Sequence, residues 1–387
     1  MPGATSLELI EKLVAFDTTS RNTNLDLISF VQGYLAHLGI TSSRIHNETG
    51  SKANLYATIG PENVSGVLLS GHTDVVPVDG QDWHTDPFQI VKKENKIFGR
   101  GTSDMKSFIG ITLATIPKFI GKTLKVPLHL AFSYDEEVGC LGVRSLIDFV
   151  NDLPVKPIMA IIGEPTSMEV VTGHKGKRSY VGQVEGYEAH SSLAPLGVNA
   201  VEYAAEFIAF LKTMARNIEK DGPFDPLYDV QHSTLHVGTI RGGTALNIVP
   251  KVCTFDFEFR YIGDEDPDQI ETQFMAYASE KIEPKMKAVS ESSKFNIKRV
   301  NDVPGLDISP DHEAVSFVKR LAKRNDYKKV AFGTEAGLYQ HRGEIPAVIC
   351  GPGSIEQAHK PNEFITLDQI HLAENFFLRL MDNICEN

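Results

Sequence analysis

Five side chains of this 387-residue chain could ligate metal, and each follows a strand-like or glycine-rich segment. They are His72 in SGHTDVVP, Asp104 in GRGTSDMK, Glu137 in SYDEEVGCLG, Glu164 in IIGEPT and His359 in GPGSIEQAHKPNE. Three carboxylates and two imidazoles suit two divalent ions that share one bridging carboxylate. Oxygen and nitrogen donors without thiolates suit zinc, cobalt or manganese at a hydrolytic site with open positions. A two-metal site can activate water and polarise a carbonyl together. Glu136, next to Glu137, is then left to carry protons.

Each motif has a plainer reading beside the chemical one. His72-x-Asp74 places a carboxylate where it can accept the second imidazole N–H and fix the tautomer; an ordinary loop histidine does the same. In Gly99–Lys106 the glycines let the backbone approach an ion, and Asp104 can bridge two of them. The same residues also read as a glycine turn before a helix capped by Ser103 or Asp104. Asp135-Glu136-Glu137 stands at a strand end. Alternation on extended backbone would send Glu137 to a metal and Glu136 to the substrate cavity as general base. The bland alternative is an acidic helix N-terminus. Glu164 follows a buried run and needs a partner there, since a bare buried charge is costly.

The elements that must position these residues follow from periodicity. Residues 5–17 and 24–38 show helical spacing. Short apolar runs at Gly66–Ser70, Val126–Ser133, Pro157–Ile162 and Pro346–Cys350 read as strands buried on both faces, hence an α/β domain. The candidate ligands sit at the carboxyl ends of those strands, where open α/β sheets bind ligands. Helices are expected over Ser107–Phe119 and Asp311–Arg324. Between them the pattern changes to strand Arg178–Tyr187, helix Asn199–Glu219, strands Thr234–Ile240 and Lys251–Tyr261, helix Pro267–Ala288 and strand Lys294–Val300. That βαββαβ order is the split ferredoxin-like layout. It gives a catalytic domain over 1–177 and 303–387 with a domain inserted at 178–302.

Composition narrows the class. A net charge of −12 and no sustained Lys/Arg stripe argue against nucleic-acid binding. Four scattered cysteines, Cys140, Cys253, Cys350 and Cys385, form no C-x-x-C pair, so a reducing compartment is expected. The N-terminal segment carries charges throughout and does not read as a secretory signal. No apolar run reaches the roughly 18 residues of a membrane span. The expectation is a soluble cytoplasmic protein without membrane or nucleic-acid partners.

With these motifs in this order, the chain resembles the co-catalytic metallopeptidase and aminoacylase family. That family takes in carboxypeptidase G-type enzymes, succinyl-diaminopimelate desuccinylase and acetylornithine deacetylase, and the resemblance spans essentially the whole chain. It implies a zinc-peptidase-like catalytic domain with helices on both faces of a mixed sheet. One ion, zinc or else cobalt, would be held by His72 and Glu164 and a second by Glu137 and His359. Asp104 would bridge them, with Glu136 as base, Asp74 beside it and a cis peptide at Asp104–Met105.

The inserted domain resembles the family's lid or dimerisation domain, which implies a homodimer. His190 in GYEAHSS would reach the partner subunit's active site and stabilise the oxyanion there, and Asn247 in GGTALNIVP and Arg260 in FDFEFR would contact substrate. Phe332–Leu338 and Cys350–Pro361 look most like the acetylornithine deacetylase branch. The implied reaction is hydrolysis of N2-acetyl-L-ornithine, with Glu335 against the substrate amine and Gly353 in the substrate loop. The alternatives are the desuccinylase or another N-acyl amino-acid or dipeptide hydrolase, and, from a different class, an inactive metal-binding dimer. The intact Glu136 argues against the last.

Overall fold

The computed structural model describes residues 3–263 and 265–386. The chain forms two compact units. The first runs to Gly173 and takes in Leu306–Lys329 and the chain from Thr334 on; the second comprises His174–Gly305 and Val330–Gly333.

Among the described residues, the first unit contains a nine-stranded mixed sheet. At its centre Leu128–Ser133, Val67–His72, Met159–Pro165 and Ala347–Gly351 lie side by side and parallel. Every residue of these four strands is buried. That is why they read as unbroken apolar runs: helices cover both faces. Ala53–Ile59 and Ser42–His46 extend one edge antiparallel. The parallel strands finish along one edge of the sheet, with His72 opposite Ser133 and Gly351 opposite Pro165.

The helix Lys106–Thr115 fixes the loop that precedes it. All of its residues except Ala114 are buried, so its position is set by packing on every side. At Gly163 a β-carbon would fall 2.1 Å from the Phe108 ring, and at Gly110 one would lie 2.8 Å from Ile10. The missing side chains let this helix press onto the sheet and onto the helix Ser6–Val14. Phe377 of Leu367–Ile384 packs on Phe108 with ring centroids 5.6 Å apart. Burying a side chain such as Phe108 stabilises by about 1.5–3 kcal/mol.

The second unit has a four-stranded antiparallel sheet in the order Thr234–Gly242, Val252–Tyr261, Gly176–Glu185, Lys294–Val303. Burial alternates along Gly176–Glu185 and Val252–Tyr261, as in a sheet with one covered face. The long helix Ala200–Asp221 packs on it through Phe207, whose ring meets Phe255 and Phe295. The helix expected over Pro267–Ala288 is instead three segments: Pro267–Tyr277, a π-turn at Ala278–Ile282, and Glu283–Val289. Pro284 is the reason, because it has no N–H to donate to the preceding turn. No helix among the described residues is long and apolar enough to cross a membrane.

Candidate metal centre

Asp104 lies between two imidazoles. Its Oδ1 is 3.0 Å from His72 Nε2 and its Oδ2 is 3.3 Å from His359 Nε2. Glu164 Oε1 stands 3.9 Å from His72 Nε2, and Glu137 Oε2 stands 3.0 Å from His359 Nε2. The five residues therefore form two clusters that share one carboxylate. The strand ends deliver His72 and Glu164, the turns after two other strands deliver Glu137 and His359, and the glycine-bearing loop before Lys106–Thr115 delivers Asp104. The peptide between Asp104 and Met105 is cis.

The residues present fit a pair of divalent ions. Ligand atoms of His72, Asp104 and Glu137 all lie within 4.8 Å of one another, as do those of His72, Glu136 and Glu164. Glu137 Oε1 is buried and has no hydrogen-bond partner, an unsatisfied acceptor that a cation would satisfy. Four carboxylates crowd two imidazoles, so the site as a whole calls for positive charge.

The protonation directions record that crowding. Burial pushes Glu136 and Glu164 well above the usual carboxylate range. Burial, reinforced by Asp104, lifts Glu137 to about 7. Asp104 and Glu137 raise His359 to about 10. Asp104, between the imidazoles, is held below its ordinary value although burial opposes this.

The structure revises two local expectations. The first concerns Asp74. His72 Nδ1 donates to the Asp74 backbone carbonyl at 2.9 Å, while the Asp74 carboxylate stands 3.6 Å away. The ring is still fixed, with Nε2 turned toward Asp104 and Glu164, but the backbone does it. The carboxylate instead accepts Ser20 Oγ at 2.7 Å and the backbone N–H groups of Glu136 and Glu137 at 3.1 and 3.3 Å. The second concerns the separation of Glu136 from Glu137. It does not come from strand alternation, because the strand ends at Ser133 and Asp135 has φ 56°. The two glutamates occupy a turn in which Gly139 and Cys140 donate to the Glu136 carbonyl. Lys52 pairs with Asp135 beneath it.

Helix Lys106–Thr115 has Met105 at its N-cap with no side-chain capping bond, so neither Ser103 nor Asp104 caps it. Glu335, expected against a substrate amine, is only 1% exposed. Ser133 Oγ donates to its Oε1 and Ser70 Oγ to its Oε2, the latter at 3.3 Å. Burial raises its carboxyl to about 7. It thus ties together the strands that carry His72 and the Glu136 turn. Gly353, expected in the substrate loop, uses its carbonyl for Ser167 N–H (2.6 Å) and its N–H for Gln369 (3.3 Å). Its φ is +87°, and a β-carbon would lie 2.5 Å from Ser103 Oγ.

In the second unit, His190 and Asn247 are exposed neighbours: Ser191 N–H donates to the Asn247 carbonyl at 3.0 Å. Ser192 N–H donates to His190 Nδ1 at 3.2 Å, which leaves Nε2 to carry the proton of the neutral ring. Arg260 is paired with Glu258 at 3.0 Å.

Sequence reasoning passed over Ser70, Ser133, Cys140, Arg100 and Glu363. Cys140 Sγ is 3.4 Å from Glu136 Oε1. Arg100 and Glu363 lie within the Asp104 and His359 motifs, yet only their pairing in space, at 2.8 Å, singles them out.

Residues 68–383 match peptidase family M20/M25/M40. The chain is 31% identical over 385 residues to acetylornithine deacetylase of Buchnera aphidicola, covering 98% of each chain. It is 32% identical over 382 residues to that of Pectobacterium carotovorum, covering 96% of this chain and 94% of the other. Among solved structures, an M20 family metallo-carboxypeptidase from Sulfolobus solfataricus superposes with TM-score 0.76 at 20% identity, over 98% of this chain and all of that one. A dinuclear metal-binding M20 peptidase from Bacillus subtilis gives TM-score 0.66 at 15% identity, over 97% and 96%.

Proposed function

The chain belongs to peptidase family M20/M25/M40 and is a metal-dependent hydrolase, and from that premise we propose that it deacetylates N2-acetyl-L-ornithine to L-ornithine and acetate, a step of arginine biosynthesis. The observation that carries the chemistry is the placement of Asp104 with one oxygen toward each imidazole. What supports the substrate is near-full-length similarity to relatives bearing that name. The ligands would be His72 and Glu164 for one ion, Glu137 and His359 for the other, and Asp104 for both. Zinc, or else cobalt, suits this donor set. When bound, the ions would supply Lewis-acid polarisation of the acetyl carbonyl and acidification of a water.

Glu136 takes the proton of the attacking water as the new C–O bond forms, and returns it to the amine nitrogen when the tetrahedral oxyanion collapses and the amide C–N bond breaks. Its Oε1 already receives the Cys140 thiol, so Oε2 is the oxygen assigned to the proton. In the homodimer that the family resemblance implies, His190 would serve the partner subunit's site, its Nε2–H donating to the developing oxyanion, with Asn247 and Arg260 binding polar groups of the substrate. A homodimer through the second unit belongs to the same reading, supported by an edge strand, Thr234–Gly242, that leaves Ile240 49% exposed. Four free, buried thiols suit a reducing compartment such as the cytoplasm.

The test is hydrolysis of N2-acetyl-L-ornithine beside N-succinyl-diaminopimelate and N-acetylmethionine by metal-stripped protein, with and without zinc or cobalt. Metal-dependent preference for acetylornithine is the expected result. Equal rates on acetylmethionine would replace this reading with a general aminoacylase, and preference for the succinyl substrate with the desuccinylase.

A further inference from the structure

We propose that Glu363 and Arg100 are positioning residues of the metal centre: Glu363 fixes the loop that delivers Asp104, and Arg100 relays the same anchor through Gln81 to His359. The proposal rests on the dinuclear reading above.

Glu363 is 1% exposed, and four donors converge on its carboxylate. Oε1 accepts the backbone N–H groups of Ser103 at 2.7 Å and Asp104 at 3.0 Å. Oε2 accepts that of Gly101 at 3.1 Å and Arg100 Nη1 at 2.8 Å. The Glu363 backbone carbonyl accepts Gly99 N–H at 2.9 Å. The Gly99–Asp104 loop makes no strand, so these bonds stand where a sheet ladder would otherwise hold it. A carboxylate that must face two imidazoles with its two oxygens needs its own backbone fixed to within tenths of an ångström.

Arg100, also 1% exposed, carries the anchor onward. Its Nη1 reaches the Lys360 carbonyl at 3.3 Å, its Nη2 reaches Gln81 Oε1 at 2.6 Å, and its guanidinium lies over the Trp83 ring. Gln81 Nε2 then donates to the His359 carbonyl at 2.9 Å. His359 itself has φ 62° and sits outside any regular element. The chain of bonds Glu363 to Arg100 to Gln81 thus joins the loops bearing Asp104 and His359, alongside the direct bonds of Arg100 to the Lys360 carbonyl and of Ser103 Oγ with Ser354. A buried ion pair could serve folding alone. The difference lies in the ions: a purely structural pair changes stability and leaves the affinity of the folded protein intact.

The experiment is titration of metal-stripped wild type, Glu363→Gln and Gln81→Ala with Zn2+ by calorimetry and with Co2+ by visible absorption, alongside thermal melts. Wild type should take up two ions. Glu363→Gln should weaken both about 10–100-fold and alter the Co2+ spectrum, because Asp104 serves both ions. Gln81→Ala, at a half-buried residue, should leave the first ion unchanged and weaken the second about tenfold. Variants with lowered melting points but wild-type affinities and spectra would overturn the proposal. Should Glu363→Gln fail to fold, Gln81→Ala decides alone: loss at one ion supports the relay, and no loss at either overturns it. A wild type that takes up fewer than two ions would instead sink the dinuclear reading, and this proposal with it.

Discussion

The Asp74 carboxylate accepts the backbone N–H of Glu136 at 3.1 Å and holds the turn on which the proposed base stands. Its second oxygen takes the neighbouring N–H of Glu137 and the Ser20 hydroxyl. Asp74 thus acts on base and metal ligand alike through their backbones. An asparagine can accept only on one side and would set an amide donor against the other N–H groups. Asp74→Asn should lower kcat about 10–100-fold with a modest change in KM. Glu136→Ala should cost about 10²–10⁴-fold in kcat while two ions still bind. Near-normal turnover in Glu136→Ala would remove it from the role of base.

Ligand substitutions should separate the two ions. Glu164→Ala and His359→Ala should each leave one ion tightly bound, because these residues lie on opposite sides of Asp104. Asp104→Ala should lose both. Metal content by atomic absorption after dialysis reads the difference, and one ion retained in Asp104→Ala would contradict the bridge.

The pH dependence follows from His359, raised to about 10 by Asp104 and Glu137. A raised imidazole contributes stability that is fully present below the unfolded value of about 6.5 and is lost as pH rises through the folded one. Metal-free protein should therefore lose that contribution between about pH 6.5 and 10. Metal replaces this proton, so binding should release protons and tighten as pH rises. Calorimetry in buffers of different ionisation enthalpy counts the protons; zero release at pH 7 would refute the assignment.

Glu335 distinguishes substrate contact from strand bracing. With both oxygens on Ser70 and Ser133, Glu335→Gln should lower stability and kcat and leave KM for acetylornithine within about twofold. A large rise in KM specific to cationic substrates would restore the amine contact.

Much of the metal centre could be read along the chain because its residues sit in short segments with their own signatures. His72 and Glu164 end apolar runs, and Asp104 follows two glycines, so type and context coincide in one stretch. Glu335 was legible as an acidic residue in a motif, but its surroundings were not. The serines that hold it, Ser70 and Ser133, lie in other strands and look like ordinary strand residues. Glu363 and Arg100 are hidden for the same reason: in sequence each is one charge among many.

By itself the sequence determined the α/β class, the inserted βαββαβ pattern and the chemical types gathered at the strand ends, because periodicity and residue chemistry are local properties. Tertiary structure decided what those types do. It turned Asp74 from an imidazole partner into a brace for the Glu136 turn, took both Glu335 oxygens for serine hydroxyls, and aimed the two oxygens of Asp104 at different histidines. Those outcomes depend on hydrogen bonds between segments far apart along the chain, whose directions are fixed only when the strands and the buried helix pack together.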